Sequence, residues 1–339
     1  MPSGAGMRDD ASTAIAVGDL RIITALWGLG EIRQSYKPAT GVVNRTAVVE
    51  TIRGRFVIRR HRRDDLSHVL QEHAIMAHAR SGGVPAPRPV AIPGGESVVR
   101  HSGALWSIFE HAHGAQIPRD QVALSHAHSM GATLAKLHTV LQDFPMDDEA
   151  GAALPTLSGT LETITKICTV IESKPFRTQL DHCALERLRS RGDWLKGRPE
   201  AALSRPDELW SERQAIHGDY QESNLFFSGA NVVAVIDWDQ AKLASPALEV
   251  LRSMDLALKL NPRLADAFLR GYRSRRDMAR DDLEAAARSV AFHRAHDLWL
   301  YTTVYLEGDS RPQRFISSGA YVPFMEKWRP FTESLGAAL

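Results

Sequence analysis

The sequence predicts an α+β chain in two lobes: a small antiparallel β-sheet lobe with one helix, then a larger, mainly helical lobe. Three observations carry that expectation. Strand-like runs and tight turns crowd the stretch from about 31 to 110, helical periodicities dominate after Gly114, and 339 residues exceed the usual size of one hydrophobic core.

Residues 1–20 read as a flexible leader, and the apolar run Ala14 to Val17 is too short for a signal-peptide core. Val48 to Ile52 and Arg55 to Arg59 are strands joined by an Arg53-Gly54 turn. Before them, Ala39 to Asn44 is a small-residue turn that lets backbone amides approach a ligand. Leu66, Val69, Leu70, Ile75 and Met76 recur at helical spacing until Ser81-Gly82-Gly83 stops the helix. Pro85, Pro87 and Pro89 force an extended path, and strands follow at about 97–101 and 104–110. Gly114 and Pro118 mark a boundary between lobes at 21–114 and 115–339. Beyond it, helices are expected at 159–172, 181–196, 246–258, 263–276 and 281–305, with a terminal segment to 335.

A hydrophobic content of 44%, a charged content of 24% and a net charge of +1 describe an ordinary globular chain, with no reason to invoke nucleic acid or a membrane surface. No run approaches the roughly 20 apolar residues that span a bilayer. Two isolated thiols, Cys168 and Cys183, suggest a reducing compartment, so a cytoplasmic location is expected.

The chemistry concentrates in His217-Gly218-Asp219, Asn224 and Val233-Ala234-Val235-Ile236-Asp237. An Asp five residues before an Asn, then a strand delivering a second Asp, suits phosphoryl transfer. Asp219 is the candidate catalytic base, because a hydroxyl attacks well only when its proton has somewhere to go. Asn224 and Asp237 are the candidate metal ligands. A short hairpin brings them to the same end of a ladder, and Mg²⁺ prefers one or two protein oxygens with phosphate and water completing the octahedron. Asp239, two residues on, is a candidate for a second metal or an outer role. The bland readings are a loop Asp bonding its own backbone and a strand-ending Asp.

On these residues the chain resembles the aminoglycoside phosphotransferase and choline kinase superfamily, small-molecule relatives of the protein kinases. The pattern is carried by His217, Gly218, Asp219, Asn224, Ile236 and Asp237. After the second Asp the family usually shows Gly-Asp-Pro and a further Asp; here Ala244-Ser245 replaces Gly-Asp, Pro246 matches, and Glu249 stands for the Asp. The resemblance implies a protein-kinase-like bilobal fold, ATP as phosphoryl donor with GTP left open, and Mg²⁺. It also implies nucleotide contacts at Gly41 and Asn44 in the covering loop, Val57 against adenine, Arg59 on the phosphates, Glu72 pairing with Arg59, and a hinge near Glu110 and Ala112. The implied acceptor is a hydroxyl of a small molecule, an antibiotic by first expectation, with a metabolite such as homoserine, choline or methylthioribose as the alternative.

From His217 onward, 16 Asp and Glu face 15 Lys and Arg, giving no acidic surplus to attract a polycation. Trp299, Tyr301, Tyr305 and Trp328 suit either acceptor contacts or core. His111 and His113, or His126 and His128, lack a third ligand at zinc spacing, and His138 reads as a packed or capping histidine. A silent kinase-like binding protein and a protein kinase are the competing classes. Gly218 and Trp238 depart from the Arg and Phe that protein kinases carry there.

Overall fold

Strands with one apolar face must bury it, and here a helix covers each side of the sheet. The structure, a computed structural model, describes residues 15–37, 45–146, 154–197 and 213–336. Strands β1 (Ile32–Tyr36), β2 (Arg45–Thr51), β3 (Gly54–Arg60), β4 (Val98–His101) and β5 (Ala104–Glu110) form an antiparallel sheet in the order β1-β2-β3-β5-β4. Helix α1 (Val17–Leu26) packs Leu20 and Ile23, with Trp27 beyond its end, against Val49, Ile58, Trp106 and Ile108. Residues 17–20, expected in the leader, therefore belong to a docked helix. Gly41 and Asn44 lie outside the described residues.

Helix α2 (Leu66–Ser81) enters between β3 and β4, where Asp65 caps its first turn by accepting the His68 N–H at 3.1 Å. Two buried histidines lie just before and within it: His61 is 2.9 Å from the Ser107 hydroxyl, and His73 is 2.7 Å from that of Ser97. Burial, with Arg59 adding to it, lowers His61 to about 3 and His73 to about 4. Both are held neutral in the fold, so the unfolded chain binds more protons below the ordinary histidine value. Stability is thus full above about pH 6.5 and falls as the pH drops toward 4, by about 1–2 kcal/mol per residue at pH 5. Thermal melts between pH 7 and 5 are expected to show this slope, and His61→Gln should flatten it.

The larger lobe starts with α3 (Leu124–Leu141), α4 (Leu157–Glu172) and α5 (Gln179–Gly197). Two small antiparallel pairs follow: β6 (Gln214–Ile216) with β9 (Lys242–Ala244), and the hairpin β7 (Leu225–Ser228) with β8 (Asn231–Val235). Helices α6 (Pro246–Leu256), α7 (Pro262–Arg273), α8 (Arg280–His296), α9 (Trp299–Tyr305) and α10 (Phe324–Leu335) complete it. The single helix expected over 281–305 is broken, because Asp297 turns its carboxylate to the Trp299 N–H at 2.9 Å and starts a new helix. Trp328 and Tyr301 are core, whereas Trp299 is exposed. Among the described residues no helix is long and apolar enough to cross a membrane.

Helices α3 and α7 cross backbone to backbone. A Cβ on Gly131 would sit 1.9 Å from the Phe268 carbonyl oxygen, and one on Gly271 would sit 2.0 Å from that of His128. Neither neighbour is a flexible side chain, so the helices would have to separate. Gly131→Ala is expected to destabilise by about 2–3 kcal/mol, read as a lower denaturant midpoint.

Candidate active site

The catalytic-loop candidates hang from the crossing just described. β6 delivers His217, Gly218 and Asp219, and Tyr220 anchors the loop through its hydroxyl to the Met130 carbonyl of α3 at 2.9 Å. Gly218 has φ +83°, and a Cβ there would lie 1.9 Å from the Gln240 carbonyl, so only glycine fits the turn. His217 is fully buried; its Nδ1 accepts the Asp219 N–H at 3.2 Å, which leaves Nε2–H to donate to the Ile236 carbonyl at 3.0 Å. One imidazole thus ties the loop of Asp219 to the strand end of Asp237.

Asp219 and Asn224 meet directly. The Asn224 amide donates to Asp219 Oδ2 at 2.8 Å and to the Asp219 carbonyl at 2.9 Å, so its own Oδ1 is the end left to meet a cation. Gln221 donates to both Asp219 carboxylate oxygens at 3.1 Å. Burial raises the Asp219 carboxyl above the ordinary range, with His217, Gln221, Arg252 and Asn224 pulling the other way. Ile236 N–H bonds the Asn224 carbonyl at 2.9 Å, which brings Asn224 and Asp237 to one end of the β7–β8 hairpin. Asp237 has φ +65°, an uncommon conformation for a residue with a Cβ and one that costs about 1 kcal/mol or more.

Arg59 reaches Asp237 from the opposite lobe. Its Nη1 donates to Glu72 Oε1 at 2.7 Å and its Nη2 to Asp237 Oδ1 at 3.1 Å. Burial opposes its charge, but Glu72, then Asp237 and Asp239, outweigh this and raise its pKa. Arg60 instead points to the other face of the sheet, with its guanidinium 6.0 Å from the Trp106 ring centre.

Above this cluster lies a cleft of about 910 Å³, counting its open mouth. Val57, Phe109, Phe226 and Ile236 supply apolar walls; Arg59, Glu72, Asn224 and Asp237 line it too, as do Glu110 and Ala112 at its rim. The Glu110 N–H is bonded to the Arg88 carbonyl at 3.0 Å and the His111 N–H to that of Arg55 at 3.3 Å. The Glu110 carbonyl and Ala112 N–H are therefore the hinge groups that remain for a planar ligand edge. Arg59 Nε and Glu72 Oε2 are buried without a partner among the described residues, as expected where a polar ligand or water completes the bonding. The donor set fits magnesium: one amide oxygen and one carboxylate, no thiolate or imidazole, beside a cleft wide enough for a nucleotide.

Glu249 carries a role that its sequence position did not disclose. Only 1% exposed, its carboxylate accepts the His217 N–H at 3.1 Å, the Gly218 N–H at 2.5 Å and a bond from His138 Nε2 at 2.9 Å. His138 Nδ1 lies 2.8 Å from the Tyr272 hydroxyl, so a chain of polar groups from α7 through α3 and α6 braces the loop. Burial would raise the Glu249 carboxyl, but its bond to His138, the His138 and His217 rings beside it, and the Gly218 N–H hold it below the ordinary range. The available signal was its place three residues after Pro246, where the resembled family carries an Asp.

A model of the phosphotransferase enzyme family matches residues 36–284, well over half of the chain. The chain belongs to the phosphotransferase enzyme family. The homoserine kinase of Nitrobacter hamburgensis is 25% identical over 233 residues, covering 67% of this chain and 64% of that protein, a little under two thirds of the relative's length. An aminoglycoside phosphotransferase from Alicyclobacillus acidocaldarius shares the fold with a TM-score of 0.62 at 16% identity, over 92% of each chain. An amicoumacin kinase in complex with AMP-PNP, Ca²⁺ and Ami has a TM-score of 0.60 at 14% identity, over 95% of this chain and all of that one. At those identities the structural likeness is one of fold, the two-lobed kinase-like α+β architecture.

Proposed function

We propose that this chain transfers the γ-phosphoryl group of ATP to a hydroxyl of a small molecule, in the cytoplasm and with Mg²⁺. The observation that carries the reading is the convergence of Asp219, Asn224 and Asp237 from one loop and hairpin with Arg59 from the other lobe. Val57 and Phe226 sandwich the adenine, whose edge bonds the Glu110 carbonyl and Ala112 N–H. Arg59, oriented by Glu72, meets the α- and β-phosphates with its forked donors. Gly41 and Asn44 belong to the loop that covers the phosphates in this reading. Asn224 and Asp237 would hold the magnesium, which neutralises phosphate charge when bound. Asp219 orients the acceptor hydroxyl and takes its proton, and alignment with the phosphoryl group supplies much of the acceleration.

For the acceptor, likeness at the level of sequence to homoserine kinase supports a hydroxylated metabolite. The antibiotic reading keeps the support of the kinase folds that act on aminoglycosides and amicoumacin. The test is Mg²⁺-dependent ADP formation across hydroxy amino acids, amino alcohols, sugars and antibiotics, with Asp219→Asn as the blank. Turnover with a metabolite and none with antibiotics supports the first reading; the reverse supports the second. Nucleotide binding without turnover on any acceptor would replace both with a silent binding protein.

A further inference from the structure

Beside Asp219, on the side away from Asn224, stands a cation that the nucleotide cleft does not use, with a second cation close behind it. Asn224 bonds Oδ2 of Asp219; the guanidinium of Arg252, from α6, lies 3.9 Å from the other oxygen, Oδ1. Neither Arg252 nor Lys242 lines the interlobe cleft. Lys242 is the first residue of β9, paired with Ile216 one position before His217. It is close enough to Arg252 for the two charges to repel: the protein packed around its ammonium, and then Arg252, lower its pKa against an opposing pull from Glu249, although the side chain reaches solvent.

Each cation has one carboxylate acting on it: Asp219 on Arg252, and on Lys242 the carboxylate of Glu249, whose oxygens are already bonded to His217, Gly218 and His138. Among the described residues, Asp219 is the one carboxylate within 4 Å of the Arg252 guanidinium, and at 3.9 Å it takes no hydrogen bond from it. Arg252 side-chain exposure is 39%, so part of the side chain is open to solvent next to the base. Lys242 has no ion-pair partner among the described residues. Two neighbouring like charges with unfilled donors are relieved by one anionic oxygen group, and a guanidinium matches the planar geometry of such a group. The same pair repels a polycation that approaches Asp219.

We infer that Arg252, assisted by Lys242, is the specificity-determining cation of the acceptor site, and that the acceptor carries an anionic oxygen group, carboxylate or phosphate ester, near the hydroxyl that is phosphorylated. The inference rests on reading the cleft as a phosphotransferase site. A hydroxyl bonded to Asp219 Oδ1 stands roughly 3 Å from it, which sets the anionic group roughly 4–7 Å from that hydroxyl, a few covalent bonds away. Small hydroxy acids and sugar or polyol phosphates fit this description; aminoglycosides do not.

The experiment uses the full chain saturated with AMP-PNP and Mg²⁺, whose own binding is measured first. Glycerate, homoserine and glycerol 3-phosphate are then titrated against glyceramide, homoserine amide and glycerol, with kanamycin as the polycation. At least one member with the anionic group is expected to bind tenfold or more tightly than its counterpart without it. That ratio should collapse toward one in Arg252→Gln and survive in part in Arg252→Lys, with melting temperatures unchanged. The carboxylate and phosphate arms tell the two anions apart. Ratios near one throughout the wild type, a ratio that persists in Arg252→Gln, or kanamycin as the tightest ligand overturns the inference. So does a uniform drop in kcat for every acceptor in Arg252→Gln, which would place the guanidinium on the transferred phosphoryl group instead. Failure of AMP-PNP itself to bind would strike the phosphotransferase reading, and is seen before any acceptor is added.

Discussion

Asp219→Asn is expected to lower kcat by about 10³–10⁴-fold while leaving nucleotide affinity within a few-fold of wild type. The amide keeps the size of the carboxylate and one oxygen for the bond from Asn224, and the second Asn224 bond, to the carbonyl of residue 219, still holds the loop. What disappears is the acceptor for the hydroxyl proton. Because burial raises the Asp219 carboxyl, its ionised form is held at a cost to the fold, and the variant should melt at the same temperature or higher near pH 7. Steady-state turnover, AMP-PNP titration and a melt on one preparation check all three statements. Undiminished turnover would remove Asp219 as the base.

The largest effect on stability is expected from Glu249→Ala, a loss of about 3–5 kcal/mol. Three groups lose their partner at once: the buried His217 and Gly218 N–H groups and the ring of His138. Those N–H groups belong to the very turn that presents Asp219, so activity should fall with stability. Glu249→Gln retains one acceptor oxygen and removes the charge, and is expected to fall between wild type and Ala in both denaturant midpoint and kcat. Equal midpoints for wild type and Ala would show that the loop holds its shape without this carboxylate.

Much of this arrangement was legible because it is local. The spacing of Asp219, Asn224 and Asp237 lies within one loop and one hairpin, and the β-strand alternation that sends Arg59 to the cleft and Arg60 to Trp106 is a property of the chain itself. Helix α1 was missed because its packing surface, Ile58 and Trp106 of the sheet, is far away in sequence. The same limit hid His138 and Glu249, 111 positions apart, and the meeting of Arg252 with Asp219. A carboxylate buried as a backbone brace and one exposed on a helix read alike in one dimension. The break at Asp297 was local, yet the capping habit of one Asp is a weaker signal than the apolar periodicity running past it.

The anchoring of the catalytic loop to α3 has a kinematic meaning. Tyr220 hangs from Met130, one residue from the glycine at which α3 meets α7, so Asp219 and the ground around it share one close-packed frame. Arg59 rides on the other body and touches that frame through its contact with Asp237. Swinging of the upper body about the linker after β5 would then change where the phosphoryl donor sits and leave the proton-accepting station fixed. Alignment for transfer becomes a matter of one rotation, with the guanidinium at 59 as its latch.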